Sequence, residues 1–554
     1  MRLTVLALAL AVAGWGCGTV PPAAPVAEAP PAGLVPAATT LGETDRIVHV
    51  LSRLGYGPRP GDVERVRAMG LARYIDAQLR PESIRDAAAE QALATYRTLS
   101  MATSDLLREY PRVFPSDAQR RQALDMSPPA LREAALADRA PGRIVAELQA
   151  AKIARAVTSE RQLQEVMVDF WFNHFNVYAQ KSSVRWMVTS YERDAIRPHA
   201  LGRFADLVLA TARHPAMLYY LDNWISVRAD LPSGPAGGLR AGLNENYARE
   251  LMELHTLGVD GGYTQEDVVE VARCFTGWSI ERPQEEGRFV FRPRAHDRGG
   301  KRVLGHVIAP GGGEQDGVRV IEVLSRHPST ARFVATKLAR KLVSDDPPPA
   351  VVERAARTFA RTDGDIRAVV ESIVTSREFF SDAAFRVKVK TPLELVASAV
   401  RALGGQLAEP VGAGTAATLE RALVGGGAAT LARAVTRLGQ PLYEAQPPTG
   451  YADRAEAWVN AGGLVGRMNF AAALAANRQP GVRVDLSTLT RSLEGQDPDQ
   501  ALERVVSRLL PGGVSAETRA TMARRLAAGG EGRSAPDLAR VVALAIASPE
   551  FQRR

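Results

Sequence analysis

Residues 244–258, NENYARELMELHTLG, decide how this chain is to be read. Asn244 has the side chain of a helix N-cap, and Gly258 stands where a left-handed C-terminal stop is expected. Glu245 precedes Arg249 by four residues in the favourable orientation, so the stretch predicts one self-sufficient helix. At about 100° per residue, Asn246, Glu250 and Glu253 fall within roughly 60° of one another, beside an apolar stripe of Tyr247, Leu251 and Leu254. One amide and two carboxylates therefore share an edge. Carboxylates so placed either split their pKa values and act as general acid and base, or share a hard cation. A solvated glutamate face is the plain alternative. His255 points away from that edge and is expected in the core.

The same helical rhythm extends in both directions. Apolar residues recur at three- and four-residue spacing over 45–55, 61–80, 130–157, 161–178, 184–197 and 203–212. Thr264, followed by Glu266 and Asp267, opens another helix, and Thr391-Pro392 with Glu394 has the pattern of a capping box with proline at the first helical position. One region departs from this rhythm. Residues 279–297, SIERPQEEGRFVFRPRAHD, alternate as a hairpin does, and 302–308, RVLGHVI, supply a further strand. The glycine-rich 309–317 lacks the Gly-Lys-Ser/Thr ending of a phosphate loop and reads as a turn before a helix. The fold class is mainly α, a multi-helical globular module with a small β-hairpin insertion near 279–308.

The N-terminus, MRLTVLALALAVAGWGC, has one positive charge, an apolar run from Leu3 to Ala13 and small residues before Cys17. Residues 1–17 read as a secretory signal of lipoprotein type with Cys17 as the lipidation site; cleavage near Ala13 is the rival. Residues 18–42, rich in proline and alanine, make an extended linker. A helical lobe over 43–345 and a C-terminal helical lobe over 346–554 complete the expected organisation. The protein is thus expected to be exported and anchored in the cell envelope, touching the membrane only through a lipid. Lys and Arg total 69 against 61 for Asp and Glu, but the two signs alternate throughout, and no basic stripe interleaved with aromatics points to nucleic acid. Cys274 is the other cysteine, which leaves no intrachain disulfide once Cys17 is acylated or removed.

Chemistry concentrates in the middle third. Eleven aromatic residues fall between Phe170 and Trp224, and six of the eight histidines between His174 and His306. Within DFWFNHFNVY, 169–178, helical spacing puts Asp169, Asn173 and Asn176 on one stripe, with His174 turned among aromatics. Asn173 and His174 are candidate orienting groups, although an aromatic core helix whose histidine bonds a backbone carbonyl fits equally. His296-Asp297 lies in a polar loop. Folded over the 244–258 helix, His296, Asp297, Glu250 and Glu253 would form a mixed N/O site for Zn²⁺, Mn²⁺ or Ca²⁺; a capped surface turn is the alternative. Residues 442–458, LYEAQPPTGYADRAEAW, read as the lip of a pocket or as a clasp between parts of the chain. HExxH, GxSxG, CxxC and dinucleotide motifs are missing from the sequence.

Together, 49–66, 169–175, 197–222, 244–258, 263–278, 291–305 and 447–475 resemble, in order, the bacterial family called domain of unknown function 1800. That resemblance spans essentially the whole chain beyond the linker. It implies a largely helical exported protein, often encoded beside an exported family of unknown function 1501, and it brings no established activity or catalytic residue. Two functional expectations stand. One is an envelope hydrolase with a carboxylate and histidine site, metal-assisted in one version, using Glu250, Glu253, Asn246, Asn173 and His174. The other is a non-enzymatic binding or assembly factor for a polysaccharide or another exported protein.

Overall fold

A computed structural model describes residues 35, 39–111, 140–230, 242–409, 426–487, 498–527 and 538–554. The expected signal with Cys17, most of the linker and residues 130–139 of the expected 130–157 helix lie outside them. Among the described residues the chain is mainly helical, with three two-stranded antiparallel pairs.

Two helices begin with the caps that the sequence predicts. Thr264 caps Gln265–Phe275 in a reciprocal capping box with Asp267, and Thr391 does the same for Pro392–Ala402 with Glu394. The 61–80 pattern divides at Gly70 into Asp62–Met69 and Leu71–Leu79. Trp278–Glu281 pairs with Arg288–Phe291 as expected. The 302–308 strand is instead a second hairpin, Lys301–Val303 with His306–Ile308, turned by Leu304 and Gly305 at φ 48 and 80. Two successive positive φ values are what a two-residue hairpin loop of the right twist requires. The pairing of Gln406–Leu407 with Val482–Arg483 was not foreseen.

The 244–258 stretch is corrected in one respect. Its α-helical part is only Asn246–Glu250, and Leu251–Thr256 continues as a π-helical turn. The Leu257 N–H donates to the Met252 carbonyl at 2.8 Å, and the Thr256 hydroxyl to the Leu251 carbonyl at 2.7 Å, so each bond spans five residues rather than four. Asn244 still serves the start, its side chain accepting from the Asn246 N–H at 2.8 Å, and Gly258 ends the turn at φ 82. Tyr191–Ile196 forms a second π turn at the end of Val184–Ser190.

One contiguous apolar core runs from Ile47 to Phe551, with Trp171, Tyr191, Tyr247, Phe275 and Trp278 among its fully buried side chains. Each such aromatic contributes about 1.5–3 kcal/mol on burial. Gly426–Arg437 packs on Gly142–Thr158, and Pro328–Leu342 on both Pro349–Arg361 and the Leu251–Thr256 turn. These contacts bring the aromatic helix Gln162–His174, the basic helix Pro328–Leu342 and the 440–458 segment around one hollow.

Candidate functional site

That hollow has a volume of about 260 Å³. Asn173, at the end of the aromatic helix, holds its lip: Nδ2 donates to the Tyr451 carbonyl at 2.8 Å, while Oδ1 accepts from the Tyr451 N–H at 2.7 Å. Asn176 Nδ2 donates to the carbonyls of Ala445 and Pro447 at 2.9 and 2.8 Å. Gly450 passes so close that a Cβ there would lie 2.4 Å from the Asn173 carbonyl oxygen, and its φ is 67. The 442–458 segment is thus both lip and clasp, and the two asparagines are its fasteners.

His174 lines the same hollow but is buried. Its Nε2 lies 3.0 Å from the His255 carbonyl, which assigns the proton to Nε2 and leaves Nδ1 with no partner among the described residues. Burial, with Lys337 and His255 nearby, holds its pKa well below the usual value, so the ring is neutral. His255 is buried in the core as expected, its ring 6.0 Å from that of His174.

The lining is dominated by cations. Lys152, Lys337, Arg340, Lys341 and Arg454 face two carboxylates, Asp169 and Asp453. Four of the five have partners. Lys152 donates to Asp169 at 2.8 Å, Lys341 to Glu394 at 2.9 Å, Arg340 to the Asp345 carbonyl at 3.0 Å and Arg454 to Asp346 at 2.9 Å. Lys337 makes no hydrogen bond or ion pair among the described residues; its ammonium stands 5.5 Å from the centre of the Phe333 ring. Burial, with Arg340 adding to it, brings its pKa down to about 8 against the pull of Asp453. Behind the wall, Glu192 accepts from the Tyr443 hydroxyl at 2.5 Å and lies 3.6, 3.5 and 3.4 Å from Lys152, Arg155 and Arg197. Burial alone would raise its pKa; those three cations and the hydroxyl bring it down to about 2.

The expected acids lie elsewhere. Asn246, Glu250 and Glu253 do not line the hollow. Asn246 is exposed, Glu250 and Glu253 are half-buried, and Glu253 lies 3.8 Å from Arg249. The Glu250 carboxyl is raised from its ordinary pKa by burial and then by Glu253, against Arg249. The proposed metal set of His296, Asp297, Glu250 and Glu253 is not assembled, and among the described residues no group of three or more His, Cys, Asp or Glu is placed to hold a metal. The physical reason is local. His296 is buried, with Nδ1 2.8 Å from the Thr276 carbonyl and Nε2 3.1 Å from Asp316, while Asp297 pairs with Arg273 at 2.9 Å. The fully buried ammonium of Lys301 lies 2.6 Å from Asp316 and also donates to the Asp297 carbonyl. A lysine stands among these groups where the sequence suggested a cation.

With this geometry in hand, a family model described as "Protein of unknown function (DUF1800)" matches residues 49–553. The chain belongs to this family. No curated protein and no solved structure matches it. The family name carries no chemistry, so the site of this DUF1800 protein rests on its own geometry. Sequence reading missed Lys337, Arg340 and Asp453. Within FVATKLARKL, 333–342, the only hint is Lys337 four residues after Phe333, and a helical lysine ordinarily faces water.

Proposed function

We propose that this chain is an exported, envelope-tethered binding protein that holds an acidic polysaccharide in the hollow between the aromatic helix, Pro328–Leu342 and the 442–458 lip. The observation that carries the reading is Lys337, an unpaired ammonium recessed in a cation-rich hollow. A recessed charge without a bonded partner is costly, and a ligand carboxylate, sulfate or phosphate supplies one. Tyr451 and Trp458, ring centres 5.9 Å apart, give apolar faces against which a sugar ring can lie. Among the described residues no helix is long and apolar enough to cross a membrane, so the tether in this reading is the lipid on Cys17. An exported protein of the unknown-function 1501 family is the proposed protein partner, to be sought by co-purification.

Titration calorimetry with an oligogalacturonate tests the binding reading. Wild-type protein is expected to bind it saturably and to ignore a neutral oligosaccharide of equal length, while Lys337→Met weakens binding by about tenfold or more. Equal affinity in wild type and Lys337→Met would overturn it.

A second reading, an envelope hydrolase, is favoured by one observation: the carboxyl of Glu250 is held protonated to a higher pH beside Glu253, as a general acid needs. Release of reducing ends from the same polysaccharide, abolished by Glu250→Gln with folding intact, would support it; no release by wild-type protein removes it.

A further inference from the structure

A second cluster of buried cations lies where Glu43–Arg53, residues 385–390 and residues 549–554 meet. Residues 388–390 run antiparallel to 552–554 through a single bridge between Val389 and Arg553, with the Arg554 N–H donating to the Lys388 carbonyl at 2.8 Å and the Lys390 N–H to the Gln552 carbonyl at 2.9 Å. This pairing draws Arg554 into the interior, where its guanidinium lies 2.9 Å from Glu394. Beside it is a cavity of about 40 Å³ lined by His49, Arg386, Lys390, Glu550, Phe551 and Arg554.

The polar groups around this cavity are short of acceptors. Arg53, fully buried next to the lining residue Ser52 in sequence but not itself in the lining, uses one nitrogen on the Ala384 carbonyl at 2.6 Å, and its Nε and Nη1 have no partner. Arg554 Nε has none, and neither ring nitrogen of buried His49 makes a hydrogen bond, although the Phe379 backbone lies beside the ring. Lys390 is buried with its ammonium 3.9 Å above the Phe551 ring and no hydrogen bond or ion pair among the described residues. The carboxylates nearby are engaged: Glu394 by Lys341 and Arg554, Glu550 by the Ser515 N–H at 2.9 Å and the Thr518 hydroxyl at 3.1 Å. Burial, opposed by Glu394 and reinforced by Arg386, Arg554 and Arg467, brings the Lys390 pKa down to about 7. Each uncompensated charge of this kind costs several kcal/mol. A water needs about 10–15 Å³ of such space, so the cavity has room for roughly three waters, or one small tetrahedral ion.

We propose that this cavity binds one tetrahedral oxyanion, phosphate or sulfate, whose oxygens accept from Lys390, Arg386 and Arg554. The site is separate from the polysaccharide hollow and does not rest on that reading.

Equilibrium dialysis with radiolabelled sulfate at constant ionic strength tests it, using the full chain carrying Lys337→Met so that the larger hollow contributes less. Saturable uptake of one sulfate per chain is expected. Lys390→Met in that background should abolish uptake, and Arg386→Gln, a change at the half-buried wall, should weaken it severalfold. Lys390→Met in anion-free buffer should melt no lower than its parent, because an uncompensated ammonium has been removed. Absence of saturable uptake by the Lys337→Met protein overturns the proposal. Uptake unchanged by Arg386→Gln does so as well, and this arm stands even where Lys390→Met fails to fold.

Discussion

At the scale of single residues, two charges behind one wall have opposite fates. Glu192 is surrounded by three cations and a phenol, so its charge is over-compensated; Lys337, in the same wall, has no partner. Glu192→Gln should destabilise the protein by about 1–3 kcal/mol in urea denaturation, because Lys152, Arg155 and Arg197 lose a shared buried counter-charge while Asp169 still pairs with Lys152 and Glu165 with Arg197. The pH dependence has a definite sign. A folded pKa of about 2 lies below the ordinary carboxylate value, so Glu192 contributes stability above about pH 4.5 that is lost as pH falls toward 2. Melting curves of wild type should therefore decline through that window more steeply than those of the variant. Lys337 runs the other way for binding. With its pKa near 8, the amine loses its proton as pH rises, and affinity for an acidic oligosaccharide should drop about tenfold between pH 7 and 9. Lys337→Arg, which keeps its charge, should flatten that profile.

At the scale of elements, the lip depends on how closely its backbone can approach the aromatic helix. Gly450→Ala places a methyl 2.4 Å from the Asn173 carbonyl at a positive φ, so it should cost about 1–3 kcal/mol by denaturation and weaken oligosaccharide binding with it. Loss of stability without loss of binding would show that the lip does not shape the hollow. The elements legible in the sequence were those written in local chemistry. The capping boxes at Thr264 and Thr391, the hairpin around 279–297 and the stop at Gly258 each depend on residues within a few positions of one another. The π turn at Leu251–Thr256 was not legible, since apolar spacing of three and four is shared by both helix types. The site was less legible still. Asn173 and His174 were found because amides and a histidine among aromatics are conspicuous, but whether Lys337 meets water or a hollow is decided by the distant 442–458 segment. Glu253 and His296 show the converse, conspicuous side chains that stand instead beside Arg249 and Asp316.

At the scale of the whole molecule, most of the described chain shares one apolar core, a small second cluster forms around Leu106, Tyr110, Ile144 and Trp186, and the described ends are fastened to the middle. Arg53, near the start, donates to Ala384, and Arg554 reaches Glu394 and the Lys341 carbonyl. Deletion of residues 549–554 should accordingly cost about 3–5 kcal/mol, since Glu394 loses a buried counter-charge and the backbone of 388–390 loses its hydrogen-bond partners. Calorimetry should show this as a lower melting temperature of the entire unfolding transition; a separate early transition would show instead that the tail region melts alone. The buried Lys301 carries a different consequence. By holding its ammonium against Asp316 beside His296, the second hairpin brings a permanently attached cation to a spot that side chains of this kind elsewhere reserve for an ion from the medium. Chelators and swings in mineral supply should leave this corner of the protein untouched.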